Sequence, residues 1–232
     1  MSLDHSHWQK FMKRFKEHVA RKEGKSVAKG IRFYMCGEYG EDFSRPHYHA
    51  CIFNYDFKDK YLFMVRNGHR IYRSPFLEEL WPFGYSSIGS VTFESAAYVA
   101  RYIMKKITGD AAEDHYEYVN PETGEITKRT PEYNQPSRRP GIGKGWYELY
   151  KDETYRDDFI VIDGRKMKPS KYYDRLYEKE NPMDMEWIKY QRELGSEKWV
   201  DNNTPERLKT REACQLAKLK SLPRTLPKEI VV

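Results

Sequence analysis

His47 and His49 stand two residues apart in Arg45-Pro46-His47-Tyr48-His49-Ala50-Cys51-Ile52-Phe53, a segment that reads as a β-strand. Successive strand side chains alternate faces, so both imidazoles point one way and Tyr48 the other. Two same-face imidazoles can give two nitrogen ligands to one divalent ion and leave positions open for water or phosphate oxygens. A third ligand is close by in Glu38, at the end of Ile31 to Glu38, which reads as the preceding strand. The Gly40 to Pro46 connection then brings Glu38 beside the histidines in an antiparallel pair. Mixed nitrogen and oxygen ligation tolerates several divalent metals, and Mg2+ or Mn2+ is the expected ion. The spacing alone leaves a structural role open, because a second His-x-His occurs at His5 and His7, where it reads as a solvated helix start.

About 50 residues on, Ser95 to Gly109 reads as a helix that begins near Glu94 and takes Gly109 as its C′ residue. Its apolar stripe is Ala96, Val99, Ala100, Ile103 and Ile107, and at ~100° per residue Tyr98, Tyr102 and Lys105 fall on the opposite side. With 19 tyrosines in the chain an i,i+4 pair means little by spacing. The face carries the argument: two phenols clear of the stripe, beside a cation able to hold a phosphate oxygen, suit nucleophilic attack on a phosphodiester. The plain alternative is an exposed aromatic pair.

These groups need a framework, and the rest of the chain supplies one. Its 232 residues are 39% hydrophobic, enough for one core, and mean hydropathy is low at −0.91. A net charge of +6, a pI near 9.0 and 15% aromatics suit a partner that offers phosphates and stackable bases. Cys36, Cys51 and Cys214 form no C-x-x-C pair and read as idle thiols in a reducing cytoplasm. With no apolar run near membrane-span length and no signal-peptide pattern, the protein is expected to stay in the cell that makes it and off the membrane.

Ser6 with Gln9 forms a capping-box pattern, after which Trp8, Phe11, Met12, Phe15 and Val19 mark a helix that packs on a sheet. Strands are expected at 31–38, 47–55 and 85–93. Between them Asn67-Gly68 signals a hairpin joining 61–66 to 69–73, whose Arg66, Arg70 and Arg73 give its tip a positive face. Residues 110–145 are a polar excursion with a turn at 120–124. It ends in Arg138-Arg139-Pro140-Gly141-Ile142-Gly143-Lys144-Gly145, whose cations and glycines let backbone amides approach phosphates without matching a P-loop. Arg45, Arg101, Lys106, Arg138, Arg139 and Lys144 are the candidate DNA contacts. A hairpin is expected at 159–167, a helix at 169–180, and beyond 182 a charged helical extension with a partly disordered basic tail. The division expected is 1–150 for the site-bearing domain and 151–232 for the C-terminal extension.

Taken together the motifs resemble the HUH (His-hydrophobic-His) endonucleases that initiate rolling-circle replication, most closely those of gokushovirus-like microviruses. His47-Tyr48-His49 matches the HUH motif and Tyr98-x-x-x-Tyr102-x-x-Lys105-Lys106 the two-tyrosine nucleophile motif. Gly37-Glu38-Tyr39-Gly40 and Ser137-Arg138-Arg139-Pro140-Gly141-Ile142-Gly143 also look like this phage group. One departure stands out: the family's apolar first strand is not found before the N-terminal helix, so either the start is shortened or another strand takes its place. The resemblance implies an α+β fold with an antiparallel sheet flanked by helices, a ferredoxin- or RRM-like palm. It further implies site-specific nicking of a single-stranded DNA origin through a 5′-phosphotyrosine link, with Tyr98 and Tyr102 as nucleophiles, Lys105 as a fixed cation and Glu38, His47 and His49 holding the metal. The setting implied is the cytoplasm of a bacterial host, with host polymerase and helicase as partners. A non-catalytic single-stranded nucleic-acid-binding protein and a plasmid relaxase or transposase of the same chemistry are the rival readings.

Overall fold

The computed structural model describes residues 2–40, 43–120 and 123–221. The expected basic tail beyond 221 and parts of the 40–46 and 120–124 connections lie outside them. The described chain divides into one unit over residues 2–142 and a second over 143–221.

In the first unit the elements run α1 (His5–Lys22), α2 (Lys25–Gly30), β1 (Arg32–Tyr39), β2 (Pro46–Phe53), β3 (Tyr61–Arg66), β4 (His69–Arg73), α3 (Pro75–Leu80) and α4 (Phe93–Arg101). A 3-10 turn over Tyr102–Lys105, α5 (Ala111–Tyr116), β5 (Glu117–Val119), β6 (Ile126–Lys128) and β7 (Tyr133–Pro136) follow. The central sheet is antiparallel in the order β2-β1-β7. Mixed α+β architecture with small antiparallel sheets and flanking helices is therefore what the chain adopts.

Side-chain alternation along β1 and β2 sets the layering. Phe33 and Met35 of β1, with Tyr48 and Ile52 of β2, face α1, where the expected stripe of Trp8, Phe11, Met12, Phe15 and Val19 is buried in one cluster with them. Each such side chain removed from water contributes roughly 1.5–3 kcal/mol, which is what holds α1 to the sheet. Gly37 lies on this face, and a Cβ there would stand 2.9 Å from both Leu3 and Tyr133. The helix cap differs from expectation: Asp4 is the N-cap and accepts the Ser6 backbone N–H at 2.7 Å, in place of a Ser6–Gln9 box.

The third strand also differs. Residues 85–93 form no strand; Ile88 alone bridges Tyr72, with N–H to O distances of 2.8 Å in both directions. Gly84, Ser86, Ser87, Gly89 and Ser90 leave too few apolar side chains to bind a sheet face. Its place in the sheet is taken by Tyr133–Pro136 from the polar excursion, anchored on β1 through Tyr34, Met35, Cys36 and Gly37.

The second unit comprises α6 (Lys144–Asp157), the hairpin β8 (Ile160–Ile162) with β9 (Arg165–Met167), α7 (Lys171–Glu180), α8 (Pro182–Glu197) and α9 (Pro205–Ser221). Its core is Tyr147, Tyr155, Tyr177, Met185 and Ile188. Arg192 clamps it, donating to Asp158 at the end of α6 and to Asp174 of α7.

Candidate active site

The face of β1 and β2 turned away from α1 carries the polar groups. Cross-strand pairing sets Cys36 opposite His49 and Glu38 opposite His47, so the strand alternation read from the sequence does place both imidazoles and the carboxylate on one face. Tyr48, between them, turns to the other side, where its hydroxyl accepts the Asp4 backbone N–H at 2.8 Å.

Glu38 is the buried centre of this face at 4% exposure. His49 Nε2 lies 3.0 Å from its Oε1 and Lys105 Nζ 2.5 Å from its Oε2. Burial alone would raise the carboxyl, but the hydrogen bonds and charges of His49 and Lys105 hold it below its ordinary value. An isolated carboxylate here would be costly; the imidazole and ammonium offset that cost. His47 shares the face with its ring centroid 6.5 Å from that of His49, and is exposed. It packs over Gly40, where a Cβ would come within 2.5 Å of the ring. Among the described residues no three His, Cys, Asp or Glu side chains are drawn together closely enough to hold a metal ion.

The tyrosine helix covers this face. Thr92 caps α4, its hydroxyl accepting the Ser95 backbone N–H while the Ser95 hydroxyl accepts from the Thr92 backbone. The α-helix ends sooner than expected, at Arg101, and tightens to 3-10 geometry through Lys105, well before Gly109. In a 3-10 turn residues three apart eclipse. Lys105 accordingly lies over the Tyr102 ring, 5.0 Å from its centroid, and reaches Glu38 from there.

Tyr102 departs from the face expected for it. It is buried, clustered with Cys36, Cys51 and Val99, and its ring stacks on His49 with centroids 4.3 Å apart. The reason is in the sheet: Cys36 and Cys51 are small, which leaves room for an aromatic ring between helix and strands. The apolar stripe expected to take that position is only partly used, since Ala100 and Ile107 are exposed. The Cys36 thiol helps fix the helix, donating to the Val99 carbonyl at 3.4 Å, and burial pushes it up to about 12, so it stays protonated.

Tyr98 is half-buried one turn away, and the Tyr102 hydroxyl donates a short hydrogen bond to the Tyr98 oxygen. Burial and that bond both raise the Tyr102 hydroxyl far above its ordinary value. Arg101 lies over the Tyr98 ring at 5.9 Å. One face thus gathers Tyr98, Tyr102, Arg101, Lys105, Glu38 and His49, with His47 at its rim.

The other candidates are placed differently. Arg45, just before β2, is exposed over the Phe43 ring, and Lys106 is exposed just past the 3-10 turn. Arg138 and Arg139 follow Ser137, whose hydroxyl and N–H bond Phe33 at the far end of β1, roughly 17 Å of strand from Glu38. Lys144 belongs to the second unit, where it pairs with Glu148 at 3.1 Å. The Glu38–Lys105 link and the Tyr102–His49 stack were not read from the sequence, for they join positions 67 and 53 residues apart.

Residues 1–107 match the model of the replication-associated protein ORF2 family, a span that contains Glu38, His47, His49, Tyr98, Tyr102 and Lys105. The chain is similar to replication-associated protein VP4 of Bdellovibrio phage phiMH2K, 31% identical over 89% of this chain and 58% of the relative. It is similar also to replication-associated protein ORF2 of Spiroplasma virus 4, 29% identical over 81% of this chain and 55% of the relative. A third relative, replication-associated protein ORF4 of Chlamydia phage 1, is 28% identical over 76% of this chain and 42% of its own length. The chain spans about half the length of these curated relatives. No solved structure matches it.

Proposed function

The chain's first 107 residues belong to the replication-associated protein ORF2 family, and from that premise we propose that it nicks a single-stranded DNA origin and rejoins it during replication of a phage genome. The observation that supports this best is the shared face on which two touching tyrosine hydroxyls meet His49, Glu38 and Lys105. Such a set suits phosphoryl transfer, where positioning and charge do most of the work.

In this reading a tyrosine oxygen attacks a backbone phosphorus, an O–P bond forms, and the bond from phosphorus to the 3′ oxygen breaks. The tyrosine loses its proton to solvent and the departing 3′ oxygen gains one, leaving a 5′-phosphotyrosine and a 3′-hydroxyl that host polymerase extends with host helicase ahead of it. Tyr98 and Tyr102 alternate, because termination must cut the regenerated origin while the first link persists. Tyr102, stacked on His49 and beside Lys105, is the better assembled for the first cut. Its raised hydroxyl keeps it protonated until a phosphate arrives, which limits idle reactivity.

His47, His49 and Glu38 fit a divalent cation by donor type and by face: two imidazole nitrogens and a carboxylate, suited to Mn2+ and, through oxygen, to Mg2+. When bound, that cation polarises the scissile phosphate and offsets charge that develops on it. Once the Glu38 carboxylate turns to it, Lys105 is released to hold a phosphate oxygen. Arg45, Arg101, Lys106, Arg138, Arg139 and Lys144 steady the strand, and the reaction takes place in the cytoplasm of the bacterial host. Among the described residues no helix is long and apolar enough to cross a membrane.

The test is a denaturing gel of protein with labelled single-stranded fragments of its genome, with Mn2+ or Mg2+ and with chelator. A covalent protein–DNA band that requires the metal is expected. DNA binding without any such band, whatever the metal, would instead support the non-catalytic reading.

A further inference from the structure

The β3–β4 hairpin has no part in the site above, yet its surface is unusual. Every residue of β3 is exposed, including Tyr61 at 49%, Leu62 at 52%, Phe63 at 49% and Val65 at 60%. Surface apolar residues normally stand singly, and a flat apolar edge invites unwanted pairing. Here the strand is neither flat nor neutral. A register shift between Leu62 and Met64 bulges Phe63 outward, and the Arg73 guanidinium lies 5.1 Å over its ring. Lys60 lies 5.3 Å over the Tyr72 ring. From Lys60 to Ser74 there is no acidic residue, while Lys60, Arg66, Arg70 and Arg73 are all cationic.

The hairpin is firmly rooted. Ser74 is fully buried and donates to Asp59 Oδ1 at 2.7 Å, and the Phe76 backbone N–H donates to the other oxygen at 2.8 Å. Phe57, just before it, is buried in the core cluster with Phe15 and Met35, and Tyr72 is bridged to Ile88. A two-stranded ribbon alone is marginal in water; this one is held in place at its base while its aromatic flank and its tip stay open.

Exposed rings interleaved with cations are what a single strand of nucleic acid recognises: bases stack on the rings and phosphates meet the guanidiniums. A second copy of this chain would bring eight like charges together, which opposes self-association. We propose that the β3–β4 hairpin is a second DNA contact, a finger that holds single-stranded DNA outside the cleavage centre, with Phe63 and Tyr61 stacking bases and Arg66 and Arg70 binding phosphates. This rests on the function proposed above.

The experiment is fluorescence anisotropy of a labelled mixed-sequence 30-nucleotide DNA, in chelator so that no chemistry intervenes. Arg66→Ala/Arg70→Ala is expected to weaken binding at least fivefold and to flatten the slope of log affinity against log salt by about 1.4, from roughly 0.7 per phosphate contact on a single strand. Phe63→Ser weakens binding at least fivefold with the slope unchanged, as lost stacking requires. Both changes lie on exposed side chains, and ultraviolet crosslinking of bromouracil DNA to the unaltered protein gives a second reading, with adducts expected within residues 61–73. If the unaltered protein does not bind at all, the proposed function falls with the finger. Binding and slope unchanged in both variants, crosslinks only elsewhere, or loss of a dimer in sedimentation without loss of DNA affinity would overturn the finger alone.

Discussion

Glu38 is the residue on which the site turns, because each of its oxygens meets a different group. His49 takes one and Lys105 the other, so the carboxylate is poised between a ligand and a phosphate-binding cation. His47→Ala with His49→Ala should abolish cleavage, at least 100-fold below the unaltered protein, while DNA affinity measured in the same samples falls less than threefold, since binding rests on phosphate contacts elsewhere. Gly40 offers a finer probe. Its Cα carries no side chain, and a Cβ there would lie 2.5 Å from the His47 ring. His47 is exposed and can turn aside, so Gly40→Ala is expected to leave the melting temperature within about 2 °C. Metal-dependent cleavage should nevertheless drop about 10- to 100-fold, the range typical when the surroundings of a ligand are disturbed. Equal metal titrations for the two proteins would detach His47 from the metal.

At the scale of elements, Arg192 makes the clearest stability prediction. It joins α6, α7 and α8 through Asp158 and Asp174, and its removal leaves two partly buried carboxylates without their cation. Arg192→Ala should cost about 3 kcal/mol in the second unit, read as a lowered calorimetric transition; an unchanged transition would show the clamp to be ornamental. Elements with a strong period were legible in the sequence. The α1 stripe follows 3.6-residue spacing and all five of its named residues are buried, and the alternation of β1 and β2 put Glu38, His47 and His49 on one face. The third strand was not legible, since Tyr133–Pro136 is four residues with Asn134 and Pro136 among them, too short and too polar for a period of two to show. Tyr102 was misplaced for another reason. Its helix pattern was read without its partner surface, and only the small Cys36 and Cys51 opposite make a phenol the better filler than an aliphatic side chain.

For the molecule as a whole, the net charge of +6 and the thiols are the properties that composition conveys directly. Cys36 and Cys51 are buried and Cys214 is exposed, so alkylation of the native protein should modify one cysteine and alkylation after denaturation all three. More than one in the native state would mean that the sheet face beneath Tyr102 opens readily. The sheet, the covering helix and the basic surface all bear on one claim, that paired tyrosines cut and rejoin DNA at the metal-assisted face of β1 and β2. Its most direct measurement is the covalent adduct in metal, with the labelled peptide mapped by mass spectrometry, for the unaltered protein, Tyr98→Phe, Tyr102→Phe and the double variant. Adduct on Tyr98 or Tyr102 is predicted, reduced but present in each single variant, more reduced for Tyr102→Phe, and absent from the double. Adduct persisting in Tyr98→Phe/Tyr102→Phe would place the nucleophile on another tyrosine and contradict the account.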